Sequence, residues 1–181
     1  MYEYKYPHPA ITADCVVFGV DCSGECRLLL IERGNDPCKG KWAFPGGFMN
    51  IDETAEECAS RELSEETGLE IEEWKEIGVF SDVHRDPRER VVTVVYCAVV
   101  FCETLCGVKG NDDARKAVWF KLSELPSLAF DHEKILEKAL TITGFSRTKH
   151  LTNLLLGAAV GDICGSTYEF APCKDYDVLD I

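Results

Sequence analysis

Between Glu53 and Thr67 the chain contains neither proline nor glycine, and Ala55, Cys58, Ala59 and Leu63 recur with a 3.6-residue rhythm. This stretch is an amphipathic helix. Asp52 or Thr54 is placed to cap its start, and Gly68 stands where a left-handed glycine ends a helix. Strand-like runs lie on both sides of it. Ile11–Val20 and Arg27–Ile31 are joined by the polar, glycine-containing turn Asp21–Glu25, which reads as a hairpin. After the helix, Ile77–Val83 and Val91–Phe101 read as strands, the second apolar enough to be buried on both faces. Ala117–Leu122 is a further short strand, and Asp131–Leu140 a second helix with Ile135, Leu136, Ala139 and Leu140 turned inward. Asn35–Gly47, rich in proline and glycine, reads as a long loop. A central helix between strands, with another helix at the end, indicates an α/β (α+β) domain whose mixed sheet packs between helices.

The 181 residues suit one ordinary domain with about thirty residues to spare. Thr143–His150 is polar and contains Gly144, so the organisation predicted is a domain over 1–143, a linker over 144–150 and a separate segment over 151–181. The last segment is too short to bury a core alone. No apolar stretch is long enough to span a bilayer and no signal peptide is visible, so a cytoplasmic protein is expected. The ten cysteines then read as free, mostly buried thiols. No Cys-x-x-Cys occurs, and the pairs Cys22/Cys26 and Cys102/Cys106 bracket hairpin turns rather than suggesting a zinc site.

Net charge is −13, which disfavours nucleic acid and anionic membranes as partners. The excess is local. Asp52–Glu76 holds eleven acidic residues against Arg61 and Lys75, and Leu151–Ile181 holds five against Lys174. Within the helix, Glu62, Glu65 and Glu66 fall at i, i+3 and i+4, so their carboxylates leave one face about a turn apart. A solvated acidic face is one reading of that pattern. The other is a hard divalent cation, Mg²⁺ or Mn²⁺, which takes a few carboxylates and keeps waters for substrate phosphates.

The surrounding residues decide between them. From Gly47 the chain reads Gly, five residues, Glu53, seven residues, then Arg61-Glu62-Leu63-Ser64-Glu65-Glu66-Thr67-Gly68-Leu69. This resembles in full the signature of the Nudix hydrolase family, G-x5-E-x7-R-E-U-x-E-E-x-G-U with U aliphatic. With average residue usage, its nine fixed positions coincide by chance on the order of 10⁻¹⁰ times per start site. The resemblance implies a Nudix α/β/α sandwich with a mixed sheet between helices, and hydrolysis of a nucleoside diphosphate linked to another moiety. It further implies that Glu62, Glu65, Glu66 and the Gly46 carbonyl hold Mg²⁺ or Mn²⁺, that Arg61 orients those carboxylates, and that Glu53 supports the loop.

The blocks Pro37–Phe48, Arg85-Asp86-Pro87-Arg88-x-Arg90 and Asp112-Asp113-Ala114 are similar to the ADP-ribose pyrophosphatase-like subgroup. That similarity implies ADP-ribose as substrate, giving AMP and ribose 5-phosphate, with NADH or an oxidised nucleoside triphosphate as alternatives. The loop His84–Arg90 adds three arginines that suit a phosphate or ribose contact, Arg88 and Arg90 among them, unless it is a plain exposed turn. Asp112 and Asp113 lie in a polar loop where a carboxylate could bind metal or act as base, or simply form a turn. Phe44, Trp42 and Phe80 are candidate adenine stackers, with a core position as the alternative.

Leu156–Phe170, in the last segment, resembles the opening of ADP-ribosylglycohydrolases. Only that family's first helix and following loop are matched, which implies a truncated fragment without glycohydrolase activity, unless the segment is a helix packed on the main domain. A nucleotide-sugar small molecule is the expected partner, and a homodimer is compatible with this reading. A regulator that binds a nucleotide without turnover is the rival function. Its relatives carry a basic DNA-binding module at the C-terminus, whereas this C-terminal segment is acidic.

Overall fold

The computed structural model describes residues 4–21, 23–101 and 114–147. Cys22, Cys102, Cys106, Asp112, Asp113 and the 151–181 segment lie outside the described residues.

Among the described residues, seven strands and two α-helices form the domain: β1 Ala10–Val20, β2 Cys26–Arg33, β3 Trp42–Ala43, β4 Gly46–Phe48, α1 Ala55–Thr67, β5 Lys75–Phe80, β6 Val91–Phe101, β7 Ala114–Lys121 and α2 His132–Thr143. The sheet runs β3-β2-β1-β6-β5, with β4 added to β1 and β7 to β2. β1 and β6 pair in parallel along their full length while the other pairings are antiparallel, so the sheet is mixed.

Alternation along the central strands separates two cores. Val16, Phe18 and Val20 of β1, with Leu28, Leu30, Val95 and Cys97, meet Ile135, Leu136, Ala139 and Leu140 of α2. Ala13, Cys15 and Val17, with Leu29, Tyr96 and Val100, meet Cys58, Ala59 and Leu63 of α1. Both sheet faces are covered, as apolar residues at successive positions of β1 and β6 require. The result is an α/β/α sandwich.

Thr54, rather than Asp52, caps α1 through a capping box with Glu57, and Gly68 closes the helix at φ 74° with its N–H on Ser64 O. The expected loop 35–47 contains β3 and the start of β4. Each is short, and their partners on β2 and β1 are distant in sequence, so no local pattern marks them. The strand expected over 77–83 begins at Lys75 and stops at Phe80; a register shift at Gly78 bends it before the 82–90 turn. α2 continues past Leu140 to Gly144, which caps it in the left-handed conformation. Beyond it, Phe145 is buried, its ring tilted against Phe18 with the centroids 4.8 Å apart. Among the described residues, no helix is long and apolar enough to cross a membrane.

Candidate active site

β1 sets the site because it pairs with β4 on one side and β6 on the other. Opposite Asp14 of β1 lies Gly46, and opposite Ala13 lies Gly47. A Cβ on Gly46 would lie 2.3 Å from Ala13 O, and one on Gly47 would lie 2.4 Å from Glu62 Oε1. The two glycines therefore let β4 lie directly between β1 and the acidic face of α1.

On that face Arg61 acts as the organiser. Its Nη2 and Nε donate to the two oxygens of Glu53 at 2.6 and 2.9 Å, its Nη1 donates to Glu62 Oε1 at 2.7 Å and to Glu65 Oε2 at 3.2 Å, and Nη2 also reaches Phe48 O. Asn50 N–H donates to Glu53 as well. The Arg61 hydrogen bonds hold the Glu53 carboxyl down at about 2. Glu66 points the other way, accepting the Gly46 amide at 2.9 Å. Burial pushes its carboxyl up to about 8, with Glu62 and Asp14 adding to the shift and the Gly46 N–H opposing it. Burial also raises Glu62.

Glu62, Glu65 and Glu66 line a cavity of about 420 Å³ that Arg33, Arg85 and Arg88 line as well. Arg88 is fixed by a two-pronged contact with Asp86 (3.0 and 2.7 Å) and lies over Phe48 and Phe130 at 5.0 and 5.8 Å. Arg33 covers Phe130 at 4.7 Å, and its Nε donates to Pro37 O. Beneath them, Arg85 is buried and grips Asp131 through Nε and Nη2 at 3.1 and 2.8 Å. One cavity thus joins a carboxylate wall to a guanidinium wall, a pattern complementary to a phosphate chain carrying a cation.

The structure gathers Gly46, Arg61, Glu62, Glu65, Glu66, Phe44 and Arg88 around this cavity, with Glu53 behind Arg61. Trp42, Phe80 and Arg90 are not among the lining residues. Phe44 is 1% exposed, with its ring stacked on His132 at 4.9 Å and 10°. Trp42 packs edge-on against Phe120, Lys138 covers Phe80, and Arg90 bonds to Asp82 O. Among the described residues no three His, Cys, Asp or Glu side chains are drawn together tightly enough to enclose an ion, since Arg61 sits between Glu62 and Glu65.

Sequence reasoning passed over Asp14, Arg33, Phe130, Asp131 and His132. One signal was available, because Asp14 is the sole charged residue of the mostly apolar strand β1.

Comparison with known proteins matches residues 8–139 to the NUDIX domain model. The chain is 43% identical over 132 residues to an ADP-ribose pyrophosphatase of Methanocaldococcus jannaschii, covering 73% of each chain. It is 35% identical over 136 residues to the ADPR responsive transcriptional repressor NtrR of Acinetobacter baylyi, covering 74% of this chain and 54% of that protein. The fold superimposes with a TM-score of 0.69 on the NUDIX domain of Shewanella oneidensis NrtR complexed with ADP ribose, at 28% identity, over 77% of this chain and 92% of that one. The chain belongs to the Nudix hydrolase family.

Proposed function

We propose that this protein hydrolyses ADP-ribose, adding water across the diphosphate to give AMP and ribose 5-phosphate, and that it requires Mg²⁺ or Mn²⁺. The observation that carries the reading is the cavity itself, about 420 Å³ in volume, which the acidic face of α1 lines together with Arg33 and Arg88. Similarity to the M. jannaschii pyrophosphatase supports the substrate. So does the resemblance of 151–181 to ADP-ribosylglycohydrolases, enzymes that release ADP-ribose.

The residues fit a hard cation. Glu62, Glu65, Glu66 and the Gly46 carbonyl offer oxygen donors only, too few to enclose an ion and enough to leave it waters and phosphate oxygens. When bound, such an ion neutralises charge on the diphosphate and acidifies an attacking water. Arg61 holds Glu62 and Glu65 at the cavity, Glu53 anchors Arg61, and Arg88, lining the same cavity, would contact the phosphate chain.

A second reading, a nucleotide-binding regulator without turnover, is favoured by the similarity to the A. baylyi repressor. A hydrolysis panel with Mg²⁺, comparing ADP-ribose, NADH, diadenosine polyphosphates and nucleoside triphosphates with product analysis, separates the two. AMP and ribose 5-phosphate formed fastest from ADP-ribose is the expected result. Tight binding of ADP-ribose with no product would favour the regulator, and preference for another nucleotide would replace the substrate.

A further inference from the structure

The floor of the cavity presents two polar atoms that the phosphate chemistry leaves unused. Asp14, whose side chain is 10% exposed, accepts Thr93 Oγ1 on Oδ2 at 2.6 Å, with Arg85 Nη2 at 3.8 Å from the same oxygen. Its Oδ1 has no hydrogen-bond partner among the described residues. His132, 4% exposed in its side chain, accepts the Phe44 amide on Nδ1 at 3.0 Å, so its proton is on Nε2. That nitrogen stands 3.9 Å from Asp14 Oδ1, too far for a hydrogen bond. Among the described residues the sealed side-chain atoms without partners are Thr12 Oγ1, Trp119 Nε1 and Arg147 Nε. Asp14 Oδ1 and His132 Nε2 are therefore open to space, and both residues line the cavity.

An acceptor beside a donor in the wall of the cavity restricts what ligand can satisfy both at once. A phosphate oxygen accepts only and is repelled by Asp14. An ammonium donates only and leaves His132 unmet. A hydroxyl does both. At ordinary bond lengths of about 2.8 Å, one oxygen touching both atoms sees them at an angle of roughly 90°, which suits a hydroxyl. A purine edge also sets a donor beside an acceptor, but the surfaces a purine stacks on, Phe48 and the Arg88 guanidinium, belong to the more exposed rim.

We propose that Asp14 and His132 bind a hydroxyl of the substrate's terminal sugar, which donates to Asp14 Oδ1 and accepts from His132 Nε2–H. This pair makes the protein select a ribose beyond the diphosphate, and it rests on the ADP-ribose reading. Thr93 and Arg85 orient the carboxylate, and the Phe44 amide fixes the imidazole tautomer.

The test compares KM for ADP-ribose with the inhibition constant of ADP, which shares the nucleoside and diphosphate but lacks the terminal sugar. In Asp14→Asn the outward oxygen gives way to a second donor. KM for ADP-ribose should rise about 10- to 100-fold relative to the ADP constant, with the half-saturating Mg²⁺ concentration as in the wild type. His132→Asn keeps an acceptor for the Phe44 amide while removing the Nε2 donor, and should move the same ratio; it serves where Asp14→Asn does not fold. An unchanged ratio, as expected if the floor reads the nucleoside common to both molecules, overturns the proposal. A rise in the Mg²⁺ requirement assigns Asp14 to the metal set and overturns it as well. A wild type that turns over ADP-ribose no better than the other nucleotides of the panel overturns this assignment together with the functional reading, whereas failure in the variants alone leaves that reading standing.

Discussion

The amide of Gly46 donates to Glu66 Oε2 across 2.9 Å, tying the strand ahead of α1 to the last carboxylate of its acidic face. The bond fixes β4 and Glu66 relative to each other before any ligand arrives. It needs close approach, and adjacent glycines provide it in different ways.

A Cβ on Gly46 meets the backbone at Ala13 O, and its φ of 153° disfavours any side chain. A Cβ on Gly47 meets only the far end of Glu62. Gly46→Ala should therefore destabilise the fold by about 2–4 kcal/mol. Gly47→Ala should cost about 1 kcal/mol or less in stability while lowering turnover at least tenfold by displacing Glu62. Thermal melts beside steady-state assays distinguish the two, and equal stability losses would contradict this account.

Arg61 holds three carboxylates but is itself partly exposed, so its ion pairs contribute little to stability. Arg61→Gln should melt within about 1 kcal/mol of the wild type, yet raise the half-saturating Mg²⁺ concentration and reduce turnover on the order of 100-fold. The Glu53 carboxyl should titrate closer to its ordinary value in this variant. In the wild type its contribution to stability is present above pH 4.5 and is lost as the pH falls toward about 2. Carboxyl-resolved NMR titration checks the shift.

Much of this was legible beforehand. Ala55, Cys58, Ala59 and Leu63 announce α1, and the apolar run of β6 announces a strand buried on both faces. The spacing of Glu62, Glu65 and Glu66 places those carboxylates on one helix face, and in the structure Arg61 joins Glu62 to Glu65 while Glu66 accepts the Gly46 amide. The short strands β3 and β4 were not visible, because their existence depends on partners on β2 and β1 far along the chain. For the same reason Asp14 and His132, separated by more than a hundred positions, could not be paired from spacing. Phe44 shows a further limit: beside a glycine-rich loop it reads as a stacker or as core, and only the fold shows its buried ring against His132.

Protonation should compete with metal. Burial first of all raises Glu66 from 4.5 to about 8. Its contribution to stability is full below about pH 4.5 and is lost as the pH rises through about 8. A cation binding there must displace the proton, so affinity for Mn²⁺ should increase between pH 6 and pH 8 with proton release. Calorimetric titration at both pH values checks this, and Glu66→Gln should flatten most of the dependence. Equal wild-type affinities at the two pH values would refute it.

Leu136 is fully buried between α2 and the sheet, away from the cavity. Leu136→Ala should cost about 2–5 kcal/mol in chemical denaturation while leaving KM of the folded fraction unchanged. A changed KM would link that core to the site.

Turnover of ADP-ribose by the wild type and by Glu66→Gln, each with Mg²⁺ and with chelator, tests the metal site on α1 most directly. Wild-type protein should release AMP and ribose 5-phosphate only when Mg²⁺ is present, and Glu66→Gln, folded as judged by its melt, should be slower by a factor on the order of 100 or more. Wild-type turnover that persists in chelator, or a variant as fast as the wild type, would contradict a metal site on the acidic face of α1.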